Sequence, residues 1–389
     1  MDKETAENTY PNKEPIKKRK KKDYPIFYGD SQEVNQFGHL DFTDYIKNLK
    51  KTQKLDGFNS IYKDIVHYIL TITHKIWEEK SIGYIYDTYH NNVKMHLGSV
   101  NQTGINSVIA GTFQTLHAFP DRKLFGENVI WSGNDKDGFY SSHRVQSIST
   151  NLGESEFGPA TGKKVFFRTT IDCFVHSNRI IEEWLVRDNL YIVEQLGIDP
   201  HEFAKNEVEK QNIQKNNRLK SSFGKSEANN GQLRPEVYAL DSHDFEIGNF
   251  IMEYFNKVWE RRLFDYVRVY YSKEAVSHFI CDKDLIGYQQ IQGMLISFFA
   301  SFPNAKFIVE RVTCNQRQNN NLNSWDVAVR WRILGINEGI GYFGKPSDCP
   351  VEILGINHLV VENEQITEEW ITFDGLDVLK QIYSCLMKG

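Results

Sequence analysis

IIEEWLVRDNLYIVEQL, starting at Ile180, and ITEEWITFDGLDVLKQI, starting at Ile366, decide how this chain is built. Ile180/Ile366, Glu182/Glu368, Glu183/Glu369, Trp184/Trp370, Asp188/Asp374, Leu190/Leu376 and Gln195/Gln381 are identical at a single offset of 186. Further upstream, Phe119-Pro120 matches Phe302-Pro303 at offset 183. Trp77/Trp259, Tyr89/Tyr271 and His96/His278 match at 182. Slow drift of the offset is what loop insertions leave between two copies of one domain, whereas chance matches would scatter. At roughly 150 residues per domain, 389 residues allow two or three domains. The repeat reads as two copies, residues 58–200 and 243–389.

Around the copies the composition changes. Residues 1–24 are polar and charged and are expected to be a disordered basic tail. Residues 25–57 carry enough apolar side chains to pack as an arm. Residues 201–242 are poor in large apolar groups and read as a flexible linker, whose first half is able to extend a helix. The formal charge is −5. Residues 1–22 hold eight Lys and Arg against four Asp and Glu, a net +4, leaving −9 on the remainder. An acidic body argues against a nucleic-acid partner. The run Lys17–Lys22 fits a nuclear address or a contact with RNA or anionic lipid, but no aromatic residue interleaves it, so a solvated tail is the preferred reading. No stretch approaches the ~18 apolar residues of a membrane span, and no signal peptide opens the chain. A cytoplasmic protein with no membrane partner is expected. Cys173, Cys281, Cys314, Cys349 and Cys385 form no CxxC pair and read as buried reduced thiols.

Within the first copy, apolar positions at helical spacing predict a helix over 58–80, with a counterpart from Phe245 to Trp259. Shorter helices are predicted at 81–90 and 104–118. Strands follow at Glu127–Gly133, Phe139–Thr150, Lys164–His176 and Arg179–Asp188, then a helix at Asn189–Leu196. The turns Gly133-Asn134-Asp135 and Ser177-Asn178 suit hairpins, so these strands should be antiparallel neighbours. Helices followed by strands indicate an α+β fold.

Phe119-Pro120-Asp121, then Gly158-Pro159-Ala160-Thr161-Gly162-Lys163, then Arg179-Ile180-Ile181-Glu182-Glu183-Trp184, Asp188 and Gln195-Leu196-Gly197 follow one another in a distinctive order. The set resembles the SnoaL-like (polyketide cyclase or ester cyclase) branch of the NTF2-like superfamily. The resemblance covers 58–200 well and 243–389 more loosely, since Gly344-Lys345-Pro346-Ser347-Asp348 replaces the Pro-Thr-Gly hairpin. It implies two cone-shaped α+β barrels, each a curved antiparallel sheet wrapped on helices around an apolar cavity. It implies no cofactor. It also implies that Asp188, following the Trp strand, acts as acid/base on a small apolar carbonyl compound, in a cyclisation, isomerisation or hydrolysis.

The residues themselves leave alternatives open. Trp184 and Asp188 are four apart on a strand and should share a face with Ile180, Glu182 and Val186. A carboxylate beside an apolar cavity would have a raised pKa and serve as a base. Alternatively, Asp188 caps the helix beginning at Asn189. Asp374 is its weaker counterpart. Arg168 and Asp172 share a face, as a cavity pair or an interface ion pair. His143, His96 and Arg168 are candidates for polarising the substrate oxygen. Trp184, Trp131, Tyr140, Tyr89, Asp172, Asp374, His358, His278 and Trp370 are candidate ligand contacts, although large aromatics and lone histidines are also ordinary core residues. No GxGxxG, P-loop, HExxH or GxSxG motif is present, and His and Cys do not cluster at metal spacing. The leading expectation is a cofactor-independent lyase or isomerase. The rival is a small-molecule-binding or scaffold protein. The two copies are expected to pair as an intramolecular pseudo-dimer, with a homodimer as the alternative.

Overall fold

The structure, a computed structural model, describes residues 25–387 apart from 36, 38–41, 48, 51, 215–237, 239–243 and 319–322. The basic tail and most of the 201–242 segment lie outside the described residues. What is described is a mixed α+β protein with two antiparallel-rich sheets.

The first half begins with β1 (Ile26–Gly29) and α1 (Phe42–Lys47), then α2 (Ile65–Trp77) and α3 (Ile85–Thr88). Next come β2 (Tyr89–Leu97), β3 (Val100–Thr103), α4 (Ile105–Ala118), β4 (Lys123–Asn134), β5 (Gly138–Thr150), β6 (Lys164–His176), β7 (Arg179–Arg187) and α5 (Asn189–Gln195). After α6 (Pro200–Gln214) the order recurs. It runs α7 (Ile247–Tyr254), a π-helical turn at Phe255–Glu260, α8 (Val267–Tyr270), β8 (Tyr271–Phe279), β9 (Lys283–Ile286), α9 (Gly287–Ala300), β10 (Lys306–Gln316), β11 (Ser324–Asn337), β12 (Cys349–Glu362), β13 (Gln365–Phe373) and α10 (Gly375–Leu386). The sheets are ordered β3-β2-β7-β6-β5-β4 and β1-β10-β11-β12-β13-β8-β9.

The predicted helices and hairpins form close to their expected positions. Ser177 and Asn178 both adopt positive φ, the conformation a two-residue hairpin turn demands. Asp64 caps α2 by accepting from His67 N at 2.7 Å, and its apolar stripe (Ile65, Ile69, Ile72, Ile76) is buried. Strands β2 and β3, with β8 and β9, are missing from the sequence prediction. Tyr89–Thr103 alternates too little hydrophobicity to read as strand, because β2 lies next to the sheet edge, between β7 and the four-residue edge strand β3. Val34, Phe37, Tyr45 and Leu55 of the 25–57 segment are buried in the first half's core. The same segment reaches further: β1 adds a parallel strand to β10 of the second half. The first part of the linker segment is helical: α6 forms over Pro200–Gln214 and packs against α10. The all-thiol reading also fails. Cys349 at the start of β12 and Cys385 in α10, with Cα atoms 5.8 Å apart, form a disulfide. Elements so far apart in sequence meet only in the fold, so spacing could not reveal the pair.

The sheets meet through their outer faces, burying Trp184 and Val186 against Leu354 and Ile356. Arg330 lies 3.6 Å over the Trp184 ring and Arg144 lies 3.5 Å over Trp370. These two contacts are related by the 186 offset.

Candidate functional site

A cavity of about 950 Å³ opens between the inner face of the first sheet and helices α2 and α4. Its floor comes from alternate residues of three strands: His143 and Val145 on β5, Thr169, Ile171 and Cys173 on β6, and Glu183, Leu185 and Arg187 on β7. Ile72, Ile76 and Trp77 of α2 form an apolar wall, and Tyr89 of β2 closes one end. At the mouth stand Asn189 and, from the second half, Asp374, Asp377 and Lys380 of α10.

Glu183 is the central polar group. Its carboxylate accepts from Tyr89 Oη at 2.9 Å, with Cys173 Sγ at 3.8 Å. Burial pushes its pKa up to about 7, and the two hydrogen bonds only partly oppose that. His143 is fully enclosed, its Nδ1 has no partner, and burial pulls its pKa down to about 3, so the ring is neutral. Glu183 and His143 are two strands and two residues of register apart, about 12 Å between their backbone positions. That gap is wide enough for a small carbonyl compound.

Glu183 faces inward because of a β-bulge. Phe174 pairs with Glu182 but Val175 pairs with Ile180, leaving Ile181 extra. The bulge flips the register, so Ile180 and Glu183 point into the cavity while Glu182, Trp184 and Val186 point out. Strict alternation from Ile180 therefore put Trp184 and Asp188 on the wrong face. The signal that was available for Glu183 was its recurrence as Glu369.

The second half carries the same dyad, Tyr271 hydroxyl to Glu369 carboxylate. There, Ser277 Oγ (3.1 Å) and Asn357 Nδ2 (2.8 Å) also donate to Glu369. Met95 and Ile171 occupy those positions in the first half, so Glu183 lacks both donors. The surrounding space differs too. Where the first half has Thr73, Leu124, Val145 and Thr169, the second has Phe255, Phe307, Trp331 and Gly355. Phe255, Trp259, Phe307 and Trp331 pack with centroids 5.2–5.9 Å apart. Gly355 is required here, since a Cβ would collide with the Trp331 ring.

Among the residues singled out from the sequence, Tyr89 and His143 come together at the cavity with Glu183. Asp374 stands at the mouth, and the others stand elsewhere. Asp188 does not line the cavity. It caps α5, accepting from Tyr191 N at 3.2 Å, and its second oxygen accepts from Cys281 N of the second half at 2.6 Å. Burial raises its pKa to about 7, against those two bonds. Asp374 caps α10 and also accepts from Asn189 Nδ2. Burial raises both Asp374 and Asp377, and the Asp374 charge raises Asp377 further. His96 stacks on Trp184 at 5.0 Å between Asn101 and Glu182. His278 stacks on Trp370 at 5.0 Å between Asp284 and Glu368. Arg168 and Asp172 do not pair with each other. Arg168 meets Glu127 at 3.3 Å, and Asp172 meets Arg330 across the interface at 3.0 Å. His358 Nε2 lies 2.8 Å from Ser142 Oγ in the same interface. Tyr140 stacks on Phe174 beneath Arg311, and Trp131 packs on Phe139. Arg122, which sequence reading did not single out, lines the cavity. Burial without a carboxylate partner pulls its pKa down to about 9. Among the described residues no group of three His, Cys, Asp or Glu is placed to hold a metal ion, and no helix is long and apolar enough to cross a membrane.

Residues 249–382 match the family model described as SnoaL-like polyketide cyclase, so the chain carries one SnoaL-like domain in its second half. That is the half whose motifs read as the more diverged. Among solved structures, a provisionally named SnoaL-like polyketide cyclase from Jannaschia sp. CCS1 is 20% identical, with 38% of this chain and 99% of that chain covered and a TM-score of 0.31. TsrD from Streptomyces laurentii is 16% identical, covering 34% and 94%, with a TM-score of 0.30. A hypothetical protein with a ketosteroid isomerase-like fold from Catenulispora acidiphila, in complex with trimethylamine, is 14% identical, covering 34% and 90%, with a TM-score of 0.27. No curated protein matches the chain.

Proposed function

We propose that the chain is two copies of one SnoaL-like domain, with a ligand site in the first and a filled, structural second. The first cavity binds a small, largely apolar, carbonyl-containing molecule and carries out cofactor-independent proton transfer on it, in a cyclisation, isomerisation or hydrolysis. Glu183 takes the place expected for Asp188 as the acid/base, since both Asp188 oxygens are occupied by backbone amides away from the cavity. The observation that carries this reading is the contrast between the two Tyr–Glu dyads. Glu369 is saturated with donors inside an aromatic core, whereas Glu183 keeps only Tyr89 and a long thiol contact beside an open apolar cavity.

The chemistry follows from those groups. The Glu183 carboxylate takes a proton from the carbon next to the ligand carbonyl. The C–H electron pair moves into the enolate, whose oxygen accepts from the neutral His143 imidazole. Tyr89 holds the carboxylate in place. The same dyad in the filled second half favours a second reading, in which Tyr–Glu is a folding element and the first cavity only binds.

Solvent-deuterium exchange at the α-carbon of a panel of aryl ketones and β-keto esters separates the two. Glu183→Gln should lower exchange by at least ~100-fold, the usual scale of general-base loss, with binding of an apolar probe unchanged. Because the base must be ionised, exchange by the native protein should fall as pH drops through about 7. Exchange that is equal in Glu183→Gln, or absent from a protein that binds the panel, leaves the binding-only reading.

A further inference from the structure

Arg122 follows the Phe119-Pro120-Asp121 turn at the end of α4 and is only 7% exposed. Its Nε and Nη2 donate to Ser147 Oγ at 3.1 and 2.9 Å. The guanidinium lies 4.4 Å from the Trp77 ring centroid and 5.3 Å from that of Phe167. Three other buried arginines have carboxylates: Arg144 has Glu127, Arg330 has Asp172 and Arg332 has Glu352. Arg311 bonds Ser132 Oγ between the Phe27 and Tyr140 rings without an ion pair among the described residues, but it does not line this cavity. Among the described residues no carboxylate pairs with Arg122. Its electrostatic neighbour is a second cation, Arg187, which lies 5.9 Å from the same Phe167 ring and is itself held by Glu156 and Asn189.

An uncompensated buried cation is a large cost to the fold, and two flanking rings and a serine return only part of it. The second half shows that the fold does not need it. Ala305 sits in the matching turn, its amide bonded to Phe302 O at 3.1 Å as Arg122 N bonds Phe119 O at 3.3 Å. Ile333 stands for Ser147 and Phe373 for Arg187. The cation is thus confined to the half with the open cavity.

We propose that Arg122 is an anion subsite of that cavity, and that the natural ligand is an amphipathic organic acid with its carboxylate on Arg122 and its apolar body along the cavity. This rests on the reading of the cavity as a ligand site. The acid group would lie at the end opposite Glu183. Ser147 marks the Arg122 end of β5, and Ser141, paired with Cys173 beside Glu183, marks the other. They are separated by six residues, or ~20 Å of strand. The reacting carbonyl of such a ligand would therefore be remote from its acid group, and charge recognition would position it without touching the chemistry.

Two probes of matched shape test this on the full chain. 1-Anilinonaphthalene-8-sulfonate carries an oxyanion, and N-phenyl-1-naphthylamine is its uncharged counterpart. Fluorescence titration should show the native protein binding the sulfonate at least tenfold more tightly. Arg122→Met should remove that preference while keeping affinity for the amine within twofold, with a Tm no lower than the native one. Arg122→Lys should keep part of the preference. Equal affinities in the native protein, or a sulfonate preference that survives Arg122→Met, would overturn the proposal while leaving the cavity reading intact. If neither probe binds, the cavity reading falls and this proposal with it.

Discussion

Asp188 and Glu183 are both buried carboxyls whose pKa is driven up to about 7 by desolvation. A raised pKa alone therefore does not separate the proposed proton-transfer group, Glu183, from a capping carboxylate; the partners do. Asp188 accepts from two backbone amides, one at the start of α5 and one on the turn between β8 and β9. Glu183 accepts from a side-chain hydroxyl and faces empty apolar space. Asp188→Asn keeps a good capping group and should leave ketone exchange within about twofold of native. Asp188→Ala should cost about 1–2 kcal/mol of stability, the scale of a lost N-cap, measured by urea unfolding. A hundredfold loss of exchange in Asp188→Asn would return the base to Asp188.

At the scale of elements, what was legible and what was not divides along physical lines. Helix stripes and hairpin turns are local patterns, and α2, α4, β4 to β7 and α5 were all readable from them. The strand pair β2–β3 was not, since its stability comes from β7, distant in sequence. The bulge at Ile181 was not either, because one inserted residue leaves no mark in composition yet reverses which side chains of β7 enter the cavity. That single register shift hid Glu183 and promoted Trp184 and Asp188. The Cys349–Cys385 disulfide was hidden for the same reason as β2. It closes a 36-residue separation and ties α10, which supplies Asp374 and Asp377 to the cavity mouth, to β12. Chain-entropy reasoning puts its contribution at ~4 kcal/mol. Cys385→Ser should lower the urea-unfolding free energy by about 2–4 kcal/mol; an unchanged value would mean that packing alone holds α10.

At the scale of the whole molecule, the two sheets meet through related but unequal contacts. Arg330 over Trp184 and Arg144 over Trp370 are matched, but Asp172, which pairs with Arg330, is replaced by His358 near Arg144. The Asp172–Arg330 pair is buried, but Arg330 also holds Glu310 through Nε at 3.0 Å, so removing Asp172 leaves the guanidinium with one of its two carboxylates. Asp172→Ala should destabilise by about 1–3 kcal/mol, the scale of a lost buried charge-assisted hydrogen bond, without changing probe affinity, since the interface lies behind the sheet that floors the cavity. The arm crosses this arrangement, packing into the first core and adding β1 to the second sheet. The proposed division of labour rests on side-chain size. Val145 and Thr169 leave room where Trp331 and Gly355 fill it.

The most direct test of that division is the binding stoichiometry of N-phenyl-1-naphthylamine in the native chain and in the Val145→Trp, Thr169→Gly double variant, which copies the Trp331–Gly355 pair of the second half's filling into the first. One probe per native chain and none per double variant is the predicted result. Two probes per chain, or a single site untouched by the double substitution, would contradict the assignment of the ligand site to the first half.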